Sequence, residues 1–191
     1  DLYYPNSPYD FTVISSNILG EIYEVFISET LIVKNNEVIL QPKKENLNRA
    51  IVTTPYDVVK FMVSKSLESV TYEKNPDEIK KLRIADIACG SGIFLTEVLD
   101  YLINYCQDWY EKNKKYDSLE ETYTNTYKLT YKEKREILTN CLYGVDIDYQ
   151  AVEVAKFSLL LKVLEGETEE TVINEKPVLP SLDNNIINGN S

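Results

Sequence analysis

Apolar residues recur along this chain at helical spacing in four stretches and form short continuous runs between some of them. The helical spacing predicts α-helices at 17–28, 54–67, 93–109 and 151–163. Thr130 and Glu133 have the spacing of a capping box and predict a short helix at 130–140. The continuous apolar runs predict buried strands at 82–87, 142–145 and 182–188. Strands that alternate with helices in this way predict an α/β fold with a parallel sheet and right-handed crossovers.

Two further segments stand outside this alternation. Residues 31–33 and 38–40 are apolar and flank two asparagines, which tolerate the positive φ of a tight turn, so this segment predicts a small hairpin. Residues 112–128 are polar and rich in tyrosine without a clear apolar period, and we expect a mobile or partly helical insertion there. The pattern therefore divides the chain into a helical and hairpin lead-in at 1–50 and a main domain at 51–191.

The most informative segment lies where the first predicted strand of the sheet meets a helix. There the chain reads Asp86-Ile87-Ala88-Cys89-Gly90-Ser91-Gly92. Glycines at such a turn remove Cβ atoms, so that a ligand can lie against the main chain near a helix N-terminus. Asp146 and Asn190 follow the other two predicted strands, and ligands in parallel sheets bind at the carboxyl ends of the strands. We therefore expect three segments to meet in one crevice.

The spacing of this turn argues against two common phosphate sites. A dinucleotide fingerprint has a third glycine three residues after the second, and Leu95 stands there instead. The acidic ribose ligand of that fingerprint comes about 20 residues further on, whereas Asp146 follows Gly92 by more than 50 residues. A P-loop does not fit, because no Gly-Lys-Ser or Gly-Lys-Thr follows the turn. The turn indicates a nucleotide cofactor of another kind.

Composition narrows the chemistry further. The 191 residues contain no histidine, which excludes a histidine base. The formal net charge is -11, which argues against a surface that binds phosphate backbones by itself. The three cysteines have no CxxC spacing, so we expect neither a metal site nor a disulfide framework. No apolar run is long enough to span a membrane and no basic leader precedes one, so we expect a cytoplasmic protein without a membrane partner.

Four segments together resemble the motifs of the adenine-specific (N6) DNA methyltransferases, in particular the methylase domain of type IIG restriction-modification enzymes. Residues 86–92 look like the family's Asp-Pro-Ala-Cys-Gly-Ser-Gly motif, although Ile87 replaces the proline. Residues 143–148 resemble its second cofactor motif, 53–55 its upstream Thr-Pro motif, and 187–191 its third motif. The resemblance implies a Rossmann-like S-adenosylmethionine-dependent methyltransferase fold, of which this chain holds the first three strands, and S-adenosylmethionine as the cofactor.

The resemblance also implies a role for individual residues. The residues that it assigns to the cofactor are Thr54, Asp86, Ala88, Cys89, Gly90, Gly92, Asp146, Ile147 and Asn190. Asp86 would bind the ammonium group of the methionine part, and Thr54 would contact its carboxylate. Asp146 would accept the two ribose hydroxyls, a role that suits a carboxylate with several lone pairs. Ile147 would pack on the adenine face, and Asn190 would hydrogen-bond the exocyclic amine.

Several of these residues also have a purely local interpretation. Thr54 could be the N-cap of the helix that Pro55 begins, and Asp146 could cap the end of its strand. Asn190 could belong to an ordinary Gly-Asn-Ser turn. For Cys89 we expect a packing role and not a nucleophile, because no basic neighbour in the sequence would lower the pKa of its thiol.

The family's catalytic segment has no counterpart in this sequence. Adenine methyltransferases hold the flipped base with an Asn-Pro-Pro-aromatic segment that follows the third motif. Asn6-Ser7-Pro8-Tyr9 is the nearest match, but it has a serine in the motif and precedes the upstream motif. We therefore expect the catalytic residues beyond Ser191, an inactive isolated chain, and DNA bound mainly by other parts of a longer protein.

The missing segment has a structural consequence. In the family the third, second and first strands lie on one side, and the fourth strand pairs beside the first. Without that strand, 82–87 would present an open edge with apolar faces, and we expect the chain to self-associate there.

Two other functions remain open at this stage. One is an S-adenosylmethionine-dependent methyltransferase that acts on RNA or protein. The other is a non-catalytic interaction module with the same fold, since a fold by itself does not establish a function.

Overall fold

The computed structural model describes residues 29–34, 37–42, 54–123, 126–172 and 176–190. The strands are β1 (Glu29–Lys34), β2 (Glu37–Pro42), β3 (Ile84–Asp86), β4 (Leu119–Tyr123), β5 (Thr126–Leu129), β6 (Leu142–Asp146) and β7 (Ile186–Asn188). The helices are α1 (Tyr56–Thr71), α2 (Pro76–Ile79), α3 (Ile93–Lys112), α4 (Tyr131–Cys141), α5 (Tyr149–Leu164) and α6 (Glu169–Val172), with a 3₁₀ turn at Tyr116–Ser118. The described residues therefore form a mixed α/β protein, as the apolar pattern predicts.

A parallel sheet of three strands lies at the centre of this arrangement. Its order is β3–β6–β7, which confirms the predicted strand order. Asp86 pairs with Gly144 between β3 and β6, and Asp146 pairs with Asn188 between β6 and β7. The carboxyl ends of all three strands therefore lie along one edge of the sheet.

Two of the strands are shorter than their apolar runs suggested. The N–H of Leu82 donates to the carbonyl oxygen of Ile79 and closes a turn after α2, so β3 begins only at Ile84. The carbonyl oxygen of Leu182 accepts a hydrogen bond from the N–H of Ile186, so the residues before β7 also form a turn. In both cases a main-chain turn uses the first part of the apolar run.

Helices α3, α4 and α5 pack against the sheet and against one another. The largest fully buried side chains include Leu99, Leu102, Ile137, Leu138, Leu159 and Ile186. Removing a side chain of this size from water contributes about 1.5–3 kcal/mol relative to leaving it exposed. This core fixes the position of the strand ends at which a ligand would bind.

Polar side chains set the beginnings of two of these helices. Thr130 caps α4 by accepting a hydrogen bond from the main-chain nitrogen of Glu133, as predicted. The carboxylate of Glu133 binds Lys80 and the hydroxyl of Tyr110, so it is part of an ion pair and not of a capping box. Asp148 caps α5 by accepting hydrogen bonds from two main-chain N–H groups in its first turn.

The insertion at 112–128 is more ordered than we expected. It contains the 3₁₀ turn and the antiparallel hairpin of β4 and β5. Leu119 and Leu129 pair at the base of this hairpin, and both are buried in the core. Lys128 Nζ donates to the carbonyl oxygen of Gly166 and to the carboxylate of Glu167, so the hairpin is joined to the segment that follows α5. We expected a mobile or partly helical insertion; the 3₁₀ turn is its helical part, and the hairpin was not predicted.

A second antiparallel hairpin lies in the lead-in. β1 pairs with β2 in a register that aligns Leu31 with Leu40 and Val33 with Val38, which confirms the predicted hairpin. The predicted helix at 17–28 and the two asparagines of the hairpin turn lie outside the described residues. Within the parts of the chain that the structure describes, no helix combines the length and the apolar character that crossing a membrane requires.

Candidate functional site

The turn between β3 and α3 contains two glycines with positive φ. The angle is 51° at Gly90 and 86° at Gly92, a region that residues with a Cβ rarely adopt. A Cβ on Gly92 would lie 2.9 Å from the Cβ of Ala155, so α5 packs directly on this glycine. At Gly90, a Cβ would meet no atom of the described residues within 4 Å. Gly92 is therefore required for packing, whereas the described residues leave space beside the main chain at Gly90.

The end of β6 contacts this turn directly. The N–H of Gly90 donates to Oδ2 of Asp146 over 2.8 Å, and the N–H of Asp148 donates to Oδ1 over 2.8 Å. The N–H of Cys89 donates to the carbonyl oxygen of Val145 over 3.0 Å. These bonds orient the Asp146 carboxylate, and each of its oxygens retains further acceptor capacity. The structure thus brings the glycine turn and Asp146 together.

The end of β7 reaches the same place from the other side of β6. The Nδ2 atom of Asn188 donates to the carbonyl oxygens of Asp146 over 3.0 Å and Ile147 over 2.9 Å. The N–H of Gly189 also donates to the carbonyl oxygen of Asp146, over 2.9 Å. Asn190, the residue singled out in the sequence, is exposed next to this contact. All three segments therefore meet, but Asn188 and Gly189 make the contacts with β6.

Asp86 lies at the carboxyl end of β3 beside the same turn. Its Oδ1 atom accepts a hydrogen bond from the N–H of Ala88 over 3.1 Å, which is the geometry of an Asx turn. The side chain is half-buried, whereas Ile87 and Ala88 are exposed. Asp86 therefore shapes the entrance to the glycine turn and leaves a partly accessible carboxylate beside it.

The upstream Thr-Pro segment lies at the N-terminus of α1. Pro55 occupies the N-cap position, and no side chain caps the helix, so the interpretation of Thr54 as an N-cap was wrong. The hydroxyl of Tyr56 donates to Oε2 of Glu97 over 2.8 Å, and Glu97 is buried in the second turn of α3. This bond joins the start of α1 to the helix that follows the glycine turn, and Thr54 is half-buried two residues before Tyr56.

Cys89 is buried beneath the turn. Burial, together with the nearby carboxylates of Asp146 and Asp86, raises the pKa of its thiol to about 12. At neutral pH the thiol is therefore protonated and a poor nucleophile. A Cβ on Gly144 would lie 3.0 Å from the sulfur atom, so the side chain fills the space above β6. These observations support the packing role predicted for Cys89.

Exposed isoleucines follow the strand ends. Ile87 is 66% exposed and Ile147 is 77% exposed, and each comes directly after its strand. Ile187 in β7 is also exposed. Large apolar side chains at the carboxyl ends of parallel strands give this edge a surface on which a flat ring can pack.

Sequence reasoning missed three of the residues that build this site. Asn185 is buried, and its Nδ2 atom donates to the carbonyl oxygens of Thr139 and Leu142, which fixes the approach to β7. Asn188 and the buried Glu97 have the contacts described above. Asn185 and Glu97 are polar residues within apolar segments, and that position was the available signal. A polar group that is buried in such a segment needs a hydrogen-bond partner.

A parallel sheet whose glycine turn contacts a carboxylate at the end of the next strand defines the described residues as an α/β domain, the class in which ligands bind at the carboxyl ends of the strands. Residues 140–191 match the model of the family described as Eco57I restriction-modification methylase. This match confirms the resemblance of the sequence to the methylases of restriction-modification enzymes.

Two relatives agree with this resemblance. The chain is 45% identical over all 191 residues to the type II restriction enzyme and methyltransferase RM.Eco57I of Escherichia coli, of which it covers 19%. Over 115 residues, 60% of the chain, it is 40% identical to a Methanocaldococcus jannaschii protein named as the type II restriction enzyme and methyltransferase RM.MjaORFECS2P, of which it covers 9%. The chain thus spans about a fifth or less of the length of these curated relatives.

Proposed function

We propose that this chain is the S-adenosylmethionine-binding part of a site-specific DNA adenine-N6 methyltransferase in a restriction-modification system. The observation that carries the proposal is the pair of hydrogen bonds from Gly90 and Asp148 to the Asp146 carboxylate. They place an oriented acceptor beside an open glycine turn, in a chain related to a restriction enzyme and methyltransferase. In this proposal, 51–191 is part of a Rossmann-like methyltransferase domain and 1–50 is its lead-in.

The residues at this edge suit the chemistry of the cofactor. Asp146 has acceptor capacity for two ribose hydroxyls, and the exposed Ile147 beside it can pack on an adenine face. Asp86 offers a carboxylate to an ammonium group, and Thr54 is two residues before Tyr56, whose hydroxyl bonds α3. Asn190 is exposed at the end of β7, where an amide can bond an exocyclic amine. The net charge of -11 also favours a cationic ligand.

The bound cofactor would supply the methyl group that is transferred to the amine of a flipped adenine. This chain would bind and orient the cofactor through the residues named above. Its sequence contains no Asn-Pro-Pro-aromatic segment, and it corresponds to 19% of its Escherichia coli relative. We therefore propose that other parts of the longer protein hold the base and that this chain alone is inactive.

The surface charge bears on how DNA would be held. Binding of a phosphate backbone depends on clustered lysine and arginine, and this chain has 20 such residues against 31 acidic ones. We propose that the chain contributes little to DNA affinity and that DNA is bound through the longer protein. We also propose that the open edge of β3 makes the isolated chain self-associate.

Calorimetric titration with S-adenosylmethionine tests the cofactor proposal. The wild-type chain should bind, and Asp146→Ala should weaken binding by about tenfold to a hundredfold, because hydrogen bonds to a charged group contribute about 1.5–3 kcal/mol. Asp117→Ala, which removes the same charge from the exposed 3₁₀ turn, is the matched control and should bind like the wild type.

Two outcomes of this titration would contradict the proposal. One is equal weakening in both variants, which would show a general effect of charge. The other is no binding by a wild-type chain whose folding is verified by its thermal transition, which would favour a non-catalytic interaction module. Asp146→Asn, which keeps the shape of the side chain, provides a second test if Asp146→Ala does not fold.

A further inference from the structure

Asp146 is held in two ways, one through its carboxylate and one through its main chain. Its carboxylate accepts hydrogen bonds from the N–H groups of Gly90 and Asp148. Its main chain is held from β7, because Nδ2 of Asn188 donates to the carbonyl oxygens of both Asp146 and Ile147. A single amide therefore contacts the two residues proposed to bind ribose and adenine.

The chemistry at this contact requires a donor group. Both partners of the Asn188 side chain are carbonyl oxygens, so the position suits an NH₂ group with two N–H donors and not a carboxylate, which has none. The opposite orientation of the amide would place its oxygen against two carbonyl oxygens, so the acceptors themselves determine the orientation. Asn188 is exposed, so its side chain adds little to the core.

We propose that Asn188 is a positioning residue of the cofactor site. Its amide fixes the main chain at 146–147, which keeps the Asp146 carboxylate on the N–H of Gly90 and keeps Ile147 at the edge of the crevice. The predicted effect on the ligand rests on the proposed function. The fixing of the main chain at 146–147 does not depend on that function. Loss of the amide should impair the adenosine half of the site and leave the half beside Asp86 unchanged.

The ligand-free experiment is amide hydrogen exchange measured by NMR on Asn188→Asp and Asn188→Ala. The matched controls are Asn184→Asp and Asn184→Ala in the exposed turn before β7. Exchange at Gly90 and Asp148 should rise about tenfold in both Asn188 variants, the factor that corresponds to about 1.4 kcal/mol. Exchange at these two amides should not change in the Asn184 controls, and the melting temperatures of all the variants should stay at the wild-type value. Unchanged protection at Gly90 would overturn the inference.

A binding experiment then separates this inference from the proposed function. Asn188→Asp should weaken binding of both adenosine and S-adenosylmethionine by about tenfold. Asp86→Asn should weaken only S-adenosylmethionine, because adenosine has no ammonium group. Equal loss of adenosine binding in the Asn184 variants would overturn the inference. A wild-type chain that binds neither ligand would overturn the proposed function, whereas the exchange result would still decide the role of Asn188.

Discussion

β3 and β7 are both strands of three residues that pair with β6, yet their surroundings differ. Ile186 begins β7 and is fully buried, and the amide of the buried Asn185 before it bonds two main-chain carbonyls. Ile84 begins β3 and is only half-buried, and Ala85 after it is exposed. Helix α5 packs on β7. Among the residues that the structure describes, β7 is therefore covered, whereas β3 leaves apolar surface accessible.

An apolar groove lies beside β3, on the less covered side of the sheet. It has a volume of about 420 Å³ and lies between α1, β3 and the first turns of α3. Its apolar lining includes Met62, Val63, Leu67, Ile84, Phe94 and Val98. Phe61 on α1 is 63% exposed, and Ile87 at the end of β3 is 66% exposed. Exposed apolar surface at the edge of a sheet is a site of association. Substitutions beside β3 and beside β7 should therefore differ in their effects on stability and on self-association.

The largest expected effect comes from substituting the two isoleucines that begin these strands. Ile186→Ala should lower the free energy of unfolding by about 2–5 kcal/mol, because it leaves a cavity in a fully buried site. Ile84→Ala should cost only about 1–2 kcal/mol, since that side chain is already half in water. Urea unfolding of both variants measures the difference. Equal losses would show that β3 is as well covered as β7.

A second prediction concerns the segment that follows α5, the helix covering β7. Glu167 accepts hydrogen bonds from Lys134 Nζ at 2.6 Å, Lys128 Nζ at 2.8 Å and the Thr171 hydroxyl at 2.7 Å. Burial acts to raise the pKa of Glu167, but these donors hold it below its usual value. Since the pKa is lower in the folded state, the charge stabilises the chain above the unfolded value of about 4.3, and this stability is lost as pH falls through the folded pKa.

Glu167→Gln should therefore lower the free energy of unfolding at about pH 7 by about 1–3 kcal/mol and flatten its decline on acidification. Glu170→Gln is the control, because Glu170 is exposed in α6 nearby. Urea unfolding over a range of pH values measures both. If the two variants have the same pH profile, the ion pairs of Glu167 do not stabilise this side of the molecule.

A third prediction concerns association at the open side. Phe61→Lys combined with Ile87→Lys should weaken self-association of the chain by about tenfold or more, because burying one large apolar side chain contributes about 1.5–3 kcal/mol. Ile187→Lys, a similar change beside β7, should leave association unchanged. Sedimentation equilibrium provides the measurement. A wild-type chain that is monomeric at high concentration would contradict the proposed role of the open edge.

The sequence predicted the parts of the fold that depend on local signals. The apolar runs predicted the strands of the parallel sheet, the resemblance to the family predicted their order, and the polar residues at the strand ends predicted the contact between the glycine turn and Asp146. Thr130 marked the start of α4, because an N-cap is a local arrangement of one side chain and one turn.

The parts that the sequence did not predict depend on contacts between distant residues. The hairpin of β4 and β5 has an irregular register between Glu121 and Tyr123, so no clean alternation marks it, and Lys128 joins it to Glu167. Asn188 acts on residues more than 40 positions earlier in the chain. Such roles follow from the register of β6 and β7, which an apolar pattern does not specify.

The smallest expected effects come from two ion pairs, one on each side. Lys162 Nζ binds Asp100 Oδ1 over 2.8 Å and joins α5 to α3, and only 15% of the Lys162 side chain is exposed. Lys65 Nζ binds Glu68 Oε2 over 3.0 Å within α1, with both side chains mostly exposed. Asp100→Ala should cost about 1 kcal/mol and Glu68→Ala at most about 0.5 kcal/mol, because water and salt screen exposed pairs. Urea unfolding at low and high salt measures both contributions. The contribution of the Lys162–Asp100 pair should change little with salt, and that of the Lys65–Glu68 pair should disappear at high salt. A larger cost for Glu68→Ala would mean that charges on α1 stabilise the open side, which the exposed geometry does not predict.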